Sequence, residues 1–368
     1  MRIDRLELRE IGLNLKERFE ISSGGRQDRR VLLLRVEAGG QTVWSECVAA
    51  EDPSYSYETT DTAWHLLTDF VLPVVAGTDV DDPREMLAPV AWIRGHPMAL
   101  AAVEMAGWAL ESARRGAALR DVVGGTAESV PVGVSVGIQG TDDALIERVR
   151  AFVEQGYRKV KIKIKPGRDV AMLRVLREHF PDVPFMADAN SAYTLADVDH
   201  LKQLDELDLM MIEQPLAWHD LRDHARLQAE LATPICLDES IRSVEDARLA
   251  HELGSGRIIN IKPGRVGGFA SSVAIHDFCR AHDMPVWCGG MLESGVGRAY
   301  NLALASLPGF SLPGDISASS RYWARDVVTP EFVVDGGHMR VPSGVGIGVD
   351  LDLDFIDALT VRRQAFEG

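Results

Sequence analysis

One spacing constrains this chain more than any other feature. From residue 130 onward, short β-branched or apolar runs each end in a polar or charged residue and give way to an amphipathic helical stretch: VPVGVSVG, KVKIK, PFMADAN, LMMIEQP, ICLDES, IINIKPG, PVWCGG and FSLPGD. The residues near the run ends are Ser135, Lys163, Asp188, Glu213, Asp238, Lys262, Cys288 and Asp315, at successive intervals of 28, 25, 25, 25, 24, 26 and 27. Strands alternating with helices pair in parallel. Eight such units at near-constant spacing, with no long interruption, predict a closed (β/α) barrel rather than an open doubly wound sheet.

The flanks lack this rhythm. Val31 to Glu37 and Thr42 to Val48 read as strands joined through Gly39-Gly40, a hairpin. A polar loop, Glu51-Asp52-Pro53-Ser54-Tyr55, precedes helical patterns. The longest of these starts at Pro97, runs through Ala101, Met105, Trp108 and Leu110, and belongs to a helical region closing near Gly124-Gly125. After Arg321 come Gly-rich and Pro-rich segments such as Val341-Pro-Ser-Gly-Val-Gly, expected to leave the barrel and pack on the N-terminal region. The expected units are a small mixed domain over 1–125, the barrel over 126–320 and a returning segment over 321–368.

Charge and composition exclude several classes of partner. With 39 Lys and Arg against 55 Asp and Glu, the formal net charge is 39 − 55 = −16, the wrong sign for nucleic acid or an anionic membrane. The opening MRIDRLELREIGLNL interleaves charge with apolar residues, so a secretory leader is not expected. No apolar stretch reaches the roughly 18 residues of a spanning helix. Cys47, Cys236, Cys279 and Cys288 form no C-x-x-C pair, which suits reduced thiols in a cytoplasmic protein.

Strand parity identifies the inward side chains. In Val160-Lys161-Ile162-Lys163-Ile164 the apolar face must meet the outer helices, so Lys161 and Lys163 point into the barrel. The same parity turns Met186, Asp188 and Asn190 inward, then Cys236 and Asp238, then Asn260 and Lys262. Buried charges are costly unless paired, so inward ionisable residues point to function. Asp188, Glu213 and Asp238 end the third, fourth and fifth strands and are expected at one level of the C-terminal mouth. There they would repel one another unless a cation sat among them. An oxygen-only set suits Mg²⁺, or Mn²⁺ in its place, and disfavours zinc. Lys163 and Lys262 lie four strands apart, so a carboxylate held at the metal would present its α-carbon between two amines. One would remove a proton from one face and the other return it to the opposite face. Lys161 would help stabilise the resulting enediolate. The nearby metal ion and neighbouring positive charge, Lys161 beside Lys163 and Arg265 close after Lys262, would lower the lysine pKa values toward neutrality.

Other residues admit plainer readings. Asn190 could cap the helix beginning near Thr194, Cys288 suits barrel packing, and Ser135 could either bind substrate or fill space. None of the ten histidines closes a barrel strand. The segment Gly289-Gly290-Met291-Leu292-Glu293-Ser294-Gly295 could cradle an anion but does not fit a dinucleotide fingerprint.

The segments KVKIKIKPG, ADANSAYTL, IEQPL, ICLDES, INIKPGRVGG and WCGGMLESGVGR resemble those of the enolase superfamily, muconate-lactonizing subgroup. Within it they are most similar to the N-acylamino acid racemase and o-succinylbenzoate synthase family. The resemblance spans nearly the whole chain. It implies a modified (β/α)₇β TIM-like barrel, an α+β capping domain formed by the N-terminal region and the C-terminal tail, and Mg²⁺ dependence. It further implies Lys163 and Lys262 as acid/base residues, Asp188, Glu213 and Asp238 as metal ligands, and Lys161 and Asn190 as holders of the substrate carboxylate. Ser135, Gly290 and Met291 would lie near the acyl group, and capping loops around Phe19 to Arg26 and around Tyr55 would close over the substrate. Where the family tends to carry a Thr-Ser-Phe-Gly-like run, this chain has Ile21-Ser22-Ser23-Gly24, and Ser23 in place of an aromatic would loosen an apolar wall. Related barrels commonly form dimers or octamers, so a homo-oligomer is expected.

The expected reaction is racemisation of N-acyl amino acids, N-succinyl in particular. The alternative is syn-dehydration to o-succinylbenzoate in menaquinone biosynthesis, with both activities in one protein as a third outcome. A Schiff-base aldolase would leave the three carboxylates without a purpose, and a non-catalytic scaffold would leave the two inward lysines unexplained.

Overall fold

The computed structural model describes residues 1–22 and 24–368. The N-terminal region forms three antiparallel strands, β1 (Ile3–Ile21), β2 (Gly24–Ala38) and β3 (Gln41–Cys47). Gly39 and Gly40, with φ of 55° and 77°, make the tight turn that joins β2 to β3. Helix α1 (Thr60–Leu66) follows, and then α2 (Pro97–Arg115), which packs on β3. The helical region expected to run toward Gly124 is broken in two. Gly116, at φ 61°, closes α2 by donating to the Ser112 and Ala113 carbonyls, and a short α3 (Leu119–Val123) ends at Gly124.

The barrel follows as β4 (Val134–Val136), α4 (Asp142–Glu154), β5 (Val160–Lys163), α5 (Val170–His179), β6 (Phe185–Asp188), α6 (Val198–Leu201), β7 (Ile212–Glu213), α7 (Arg222–Glu230), β8 (Ile235–Leu237), α8 (Val244–Leu253), β9 (Ile258–Ile261), α9 (Phe269–Ala281), β10 (Val286–Cys288) and α10 (Gly295–Ala305). Strands β4 to β10 form one seven-stranded parallel sheet in chain order. The eighth run, FSLPGD, makes single parallel bridges on both sides: Phe310 with Val286 and Gly314 with Val132. It closes the ring without a ladder of its own, and among the described residues the next helix after it is only the four-residue Ser319–Tyr322, so the fold is a (β/α)₇β barrel. The last strand, β11 (Thr360–Glu367), returns to pair antiparallel with β1, so the tail completes the capping sheet in the order β11-β1-β2-β3.

Two buried clusters separate the faces of the barrel strands. Val160, Ile162, Ile164, Ala187 and Ile212 belong to the large core shared with the outer helices. Met186, Met211, Cys236, Ile258 and Trp287 pack together inside the barrel. This is the alternation that puts Lys161, Lys163, Asp188, Glu213, Asp238 and Lys262 inward.

The capping domain is fastened to the barrel by buried carboxylates at helix N-termini. Glu46 on β3 accepts from the Ser294 and Gly297 amides at the start of α10, at 3.1 and 2.9 Å. Glu104 on α2 accepts from Phe269 and Ala270 at the start of α9, at 2.7 and 2.9 Å, and from Trp108 Nε1 at 2.7 Å. Glu58 caps α2 itself through Met98 and Ala99. Helix N-terminal amides are unpaired donors with partial positive charge, so a carboxylate there is stabilised. Burial outweighs that help, and all three carboxyls are pushed up to about 7. No helix among the described residues is long and apolar enough to cross a membrane.

Candidate active site

The C-terminal ends of the barrel strands and the capping loops enclose a cleft of about 810 Å³, counting its opening to solvent. Phe19, Tyr55, Ser135, Lys161, Lys163, Asn190, Lys262, Gly290 and Met291 all line it. Asp188, Glu213 and Asp238 lie beneath this surface, each at most 1% exposed, in contact with the lining lysines. Arg265 does not line the cleft and stands behind Asp238. Ser23 lies outside the described residues.

The site is an alternation of acids and bases. Lys161 Nζ is 3.1 Å from both Asp188 and Glu213. Lys163 Nζ donates to Asp188 Oδ2 and Asn190 Oδ1, each at 2.6 Å. On the far side Lys262 Nζ donates to Asp238 Oδ2 at 2.7 Å and to the Tyr55 hydroxyl at 2.9 Å. Tyr55 in turn donates toward Asp238 Oδ1 at 3.1 Å. Arg265 pairs with Asp238 and anchors itself on the Asn260 and Ile241 carbonyls. Strand β5, which carries Lys163, and strand β9, which Lys262 directly follows, are four positions apart in the ring of eight. The two amines therefore face the cleft from opposite sides.

Strand pairing relates the three carboxylates: Asp188 is opposite Glu213, and Glu213 is opposite Cys236, two residues before Asp238. Among the described residues no group of three or more His, Cys, Asp or Glu is gathered closely enough to hold a metal as it stands. Each of the three acids lies against a lysine. The protein's own groups move the two lysines in opposite directions. Burial lowers Lys163 despite Asp188 beside it. For Lys262, burial works the same way but is outweighed by Tyr55, Glu213 and Glu239, so that amine is raised rather than lowered. For Asp188, burial pushes upward, yet Lys163 and Lys161 hold the carboxyl well below its usual range. Glu213 is raised, first by burial and then by Asp188.

Asn190 is not a helix cap. Its φ is 41°, its Oδ1 accepts from Lys163 and its Nδ2 donates to Glu239 at 3.0 Å, while Thr194 caps the following helical turn with Asp197. The glycine segment works by making room. A Cβ on Gly289 would stand 2.3 Å from Asn260 Oδ1 and 2.7 Å from Lys262 Cε, so glycine lets the β9 side chains cross beneath the turn. Sequence reasoning missed Arg298, Ser317 and Tyr322, which also line the cleft, and Glu239, buried beside Asn190. Asp315 lines it too, and its position at the end of the eighth run was the available signal.

The donor chemistry fits a hard divalent cation. Asp188, Glu213 and Asp238 offer only oxygen, and the buried Glu239 Oε2 and Asn260 Oδ1 nearby lack hydrogen-bond partners among the described residues.

The family model described as enolase C-terminal domain-like matches residues 144–355. The chain is 51% identical over 365 residues to an o-succinylbenzoate synthase of Geobacillus stearothermophilus, covering 99% of this chain and 97% of that one. This chain belongs to the enolase superfamily. Within the superfamily it is also 49% identical over 364 residues to an N-succinylamino acid racemase of Thermus thermophilus, covering 99% of both. A solved enolase superfamily structure from Listeria innocua superposes with a TM-score of 0.95 at 42% identity, covering 99% of each chain. The protein is thus an enolase superfamily enzyme whose near relatives carry two different reaction names, a lyase and an isomerase.

Proposed function

We propose that this enzyme removes the α-proton of a succinylated carboxylate and racemises N-succinyl amino acids by two-base 1,1-proton transfer. The observation that carries this reading is the pair of amines, Lys163 and Lys262, on opposite sides of one cleft. Asp188, Glu213 and Asp238 would hold Mg²⁺, or Mn²⁺ in its place. When bound, the ion supplies positive charge where the substrate carboxylate becomes more negative. Lys161 and Asn190 hold that carboxylate. Lys163 takes the α-proton from one face, Lys161 opposes the charge that develops on the enediolate, and Lys262 returns a proton to the other face. Ser135, Gly290 and Met291 contact the acyl group, while Phe19 and Tyr55 cover it and limit water.

A second reading is favoured by the 51% identical relative named o-succinylbenzoate synthase. In that reaction Lys163 acts as base and then as acid on one face, and Lys262 contributes charge. Both reactions begin with the same proton abstraction, and one site can perform both. The test is a side-by-side assay with Mg²⁺ of N-succinyl amino acid racemisation and o-succinylbenzoate formation. The racemase reading requires α-proton exchange in D₂O from both enantiomers, lost in EDTA and restored by Mg²⁺ or Mn²⁺. Activity that survives EDTA, with borohydride trapping of substrate, would point to a Schiff-base aldolase instead.

A further inference from the structure

Three lysines, not two, project into the barrel from the same strand region. Lys159 immediately precedes β5, shares the parity of Lys161 and Lys163, and is completely buried. It does not line the cleft and has no part in the proton transfers above. Its Nζ lies 3.4 Å from the centroid of the Trp287 ring, at the barrel floor, and 3.2 Å from Asp315 Oδ1. The other oxygen of Asp315 is 2.5 Å from Lys161 Nζ. The fold makes room for this ammonium, since a Cβ on Gly133 would stand 2.9 Å from Lys159 Cε. A fully buried ammonium is expensive unless its surroundings offset it. Here the offset is a cation–π contact and one carboxylate, and that carboxylate is shared with Lys161.

Sharing has a consequence for Lys161. Its ammonium lies 2.5 Å from Asp315, which lines the cleft with it, and 3.1 Å from Asp188 and Glu213. Without Lys159, Asp315 would carry a buried charge shared with no second ammonium, and among the described residues Lys161 is the cation left in contact with it. The field of the Lys161 ammonium would then be spent on Asp315, and its hold on Asp188 and Glu213 would loosen.

We propose that Lys159 is a positioning residue, which shares the charge of Asp315 so that the Lys161 ammonium stays among Asp315, Asp188 and Glu213 with its charge available to the substrate carboxylate. This rests on the reading of Lys161 as the group that holds that carboxylate and opposes its developing charge. A group that acts in the transition state shows its loss in kcat more than in KM.

The experiment replaces Lys159 with methionine, which has a similar length and no charge, alone and together with Asp315→Asn. Crystal structures, melting temperatures and α-proton exchange of N-succinyl amino acids are measured for each. In Lys159→Met, Lys161 Nζ is expected to keep its contact with Asp315 and to lengthen its distances to Asp188 and Glu213, with kcat reduced about tenfold and KM changed less than about threefold. In the double variant no anion remains at position 315 to hold Lys161, so Lys161 returns toward Glu213 and kcat rises above that of the single variant. Lys161 unmoved in Lys159→Met, or a double variant no faster than the single, overturns the proposal. Failure of the functional reading would show separately, as absence of exchange in the wild type. The position of Lys161 is read from the crystals in either case.

Discussion

Lys163 and Lys262 face one cleft from opposite sides, but only Lys163 is held entirely by the barrel. Its partners, Asp188 and Asn190, come from β6 and the turn that follows it. Lys262 leans instead on Tyr55 of the capping region, both through the hydroxyl and with its ammonium 4.5 Å from the ring centroid. Arg265 then competes for the same carboxylate, Asp238. The Lys163 side is therefore formed once the barrel closes, whereas the Lys262 side is complete only when the capping domain is seated. A reaction that works on one face can rely on the first side. Inversion of a stereocentre needs both.

The largest effect expected is that of Lys163→Ala. Removal of a general acid/base costs about 10² to 10⁴ in rate, and here both o-succinylbenzoate formation and exchange from the enantiomer facing Lys163 should fall by that factor. Retention of both activities would remove Lys163 from the mechanism. Lys262→Ala should be more selective. Exchange from the opposite enantiomer should fall about 10³-fold while exchange from the first falls far less, as followed by NMR in D₂O. Equal losses for the two enantiomers would mean that the sides are not independent bases.

The legibility of these two sides in the sequence differed for the same structural reason. Lys161, Lys163, Asp188 and Glu213 sit within paired strands, where a period of two dictates direction, so parity alone turned them inward. Asp238 and Lys262 lie just past the last paired residues of β8 and β9, and their inward direction was readable because the alternation carries over to the next residue. Tyr55 lies some 180 residues from Asp238 in sequence, and no local pattern encodes its contact with Lys262. The same limit hid Glu46 and Glu104: each is one acid in a β-strand or helix until its partner helix arrives. Lys159 shared the visible parity of the strand, yet its purpose depends on Asp315, more than 150 residues away.

A smaller effect should follow Tyr55→Phe, which keeps the ring over Lys262 and removes the hydroxyl. Loss of a hydrogen bond to a charged group is worth about 1.5 to 3 kcal/mol, so the Lys262-dependent exchange should slow by at least about tenfold. Exchange through Lys163 should change less than about threefold. A uniform slowing of both would show that Tyr55 acts on closure of the whole cleft rather than on one amine.

The smallest effect concerns how the capping domain stays seated. Glu104 joins α2 to the start of α9, the helix that follows the strand of Lys262, and burial pushes its carboxyl up to about 7. An unfolded glutamate titrates near 4.3. Between those values the folded protein binds a proton that the unfolded chain has released. Stability contributed by this group is therefore present in full below about pH 4 and is lost as pH rises through about 7. Glu104→Gln has no such proton to lose. The stability of wild type minus that of Glu104→Gln, from urea unfolding at pH 5, 6, 7 and 8, should thus decrease with pH by about 1 to 3 kcal/mol. A difference that stays level would mean that Glu104 is ionised throughout and that the helix amides outweigh burial. The clip joining the capping domain to the Lys262 side would then hold as a charge and strengthen, rather than weaken, the two-sided cleft at neutral pH.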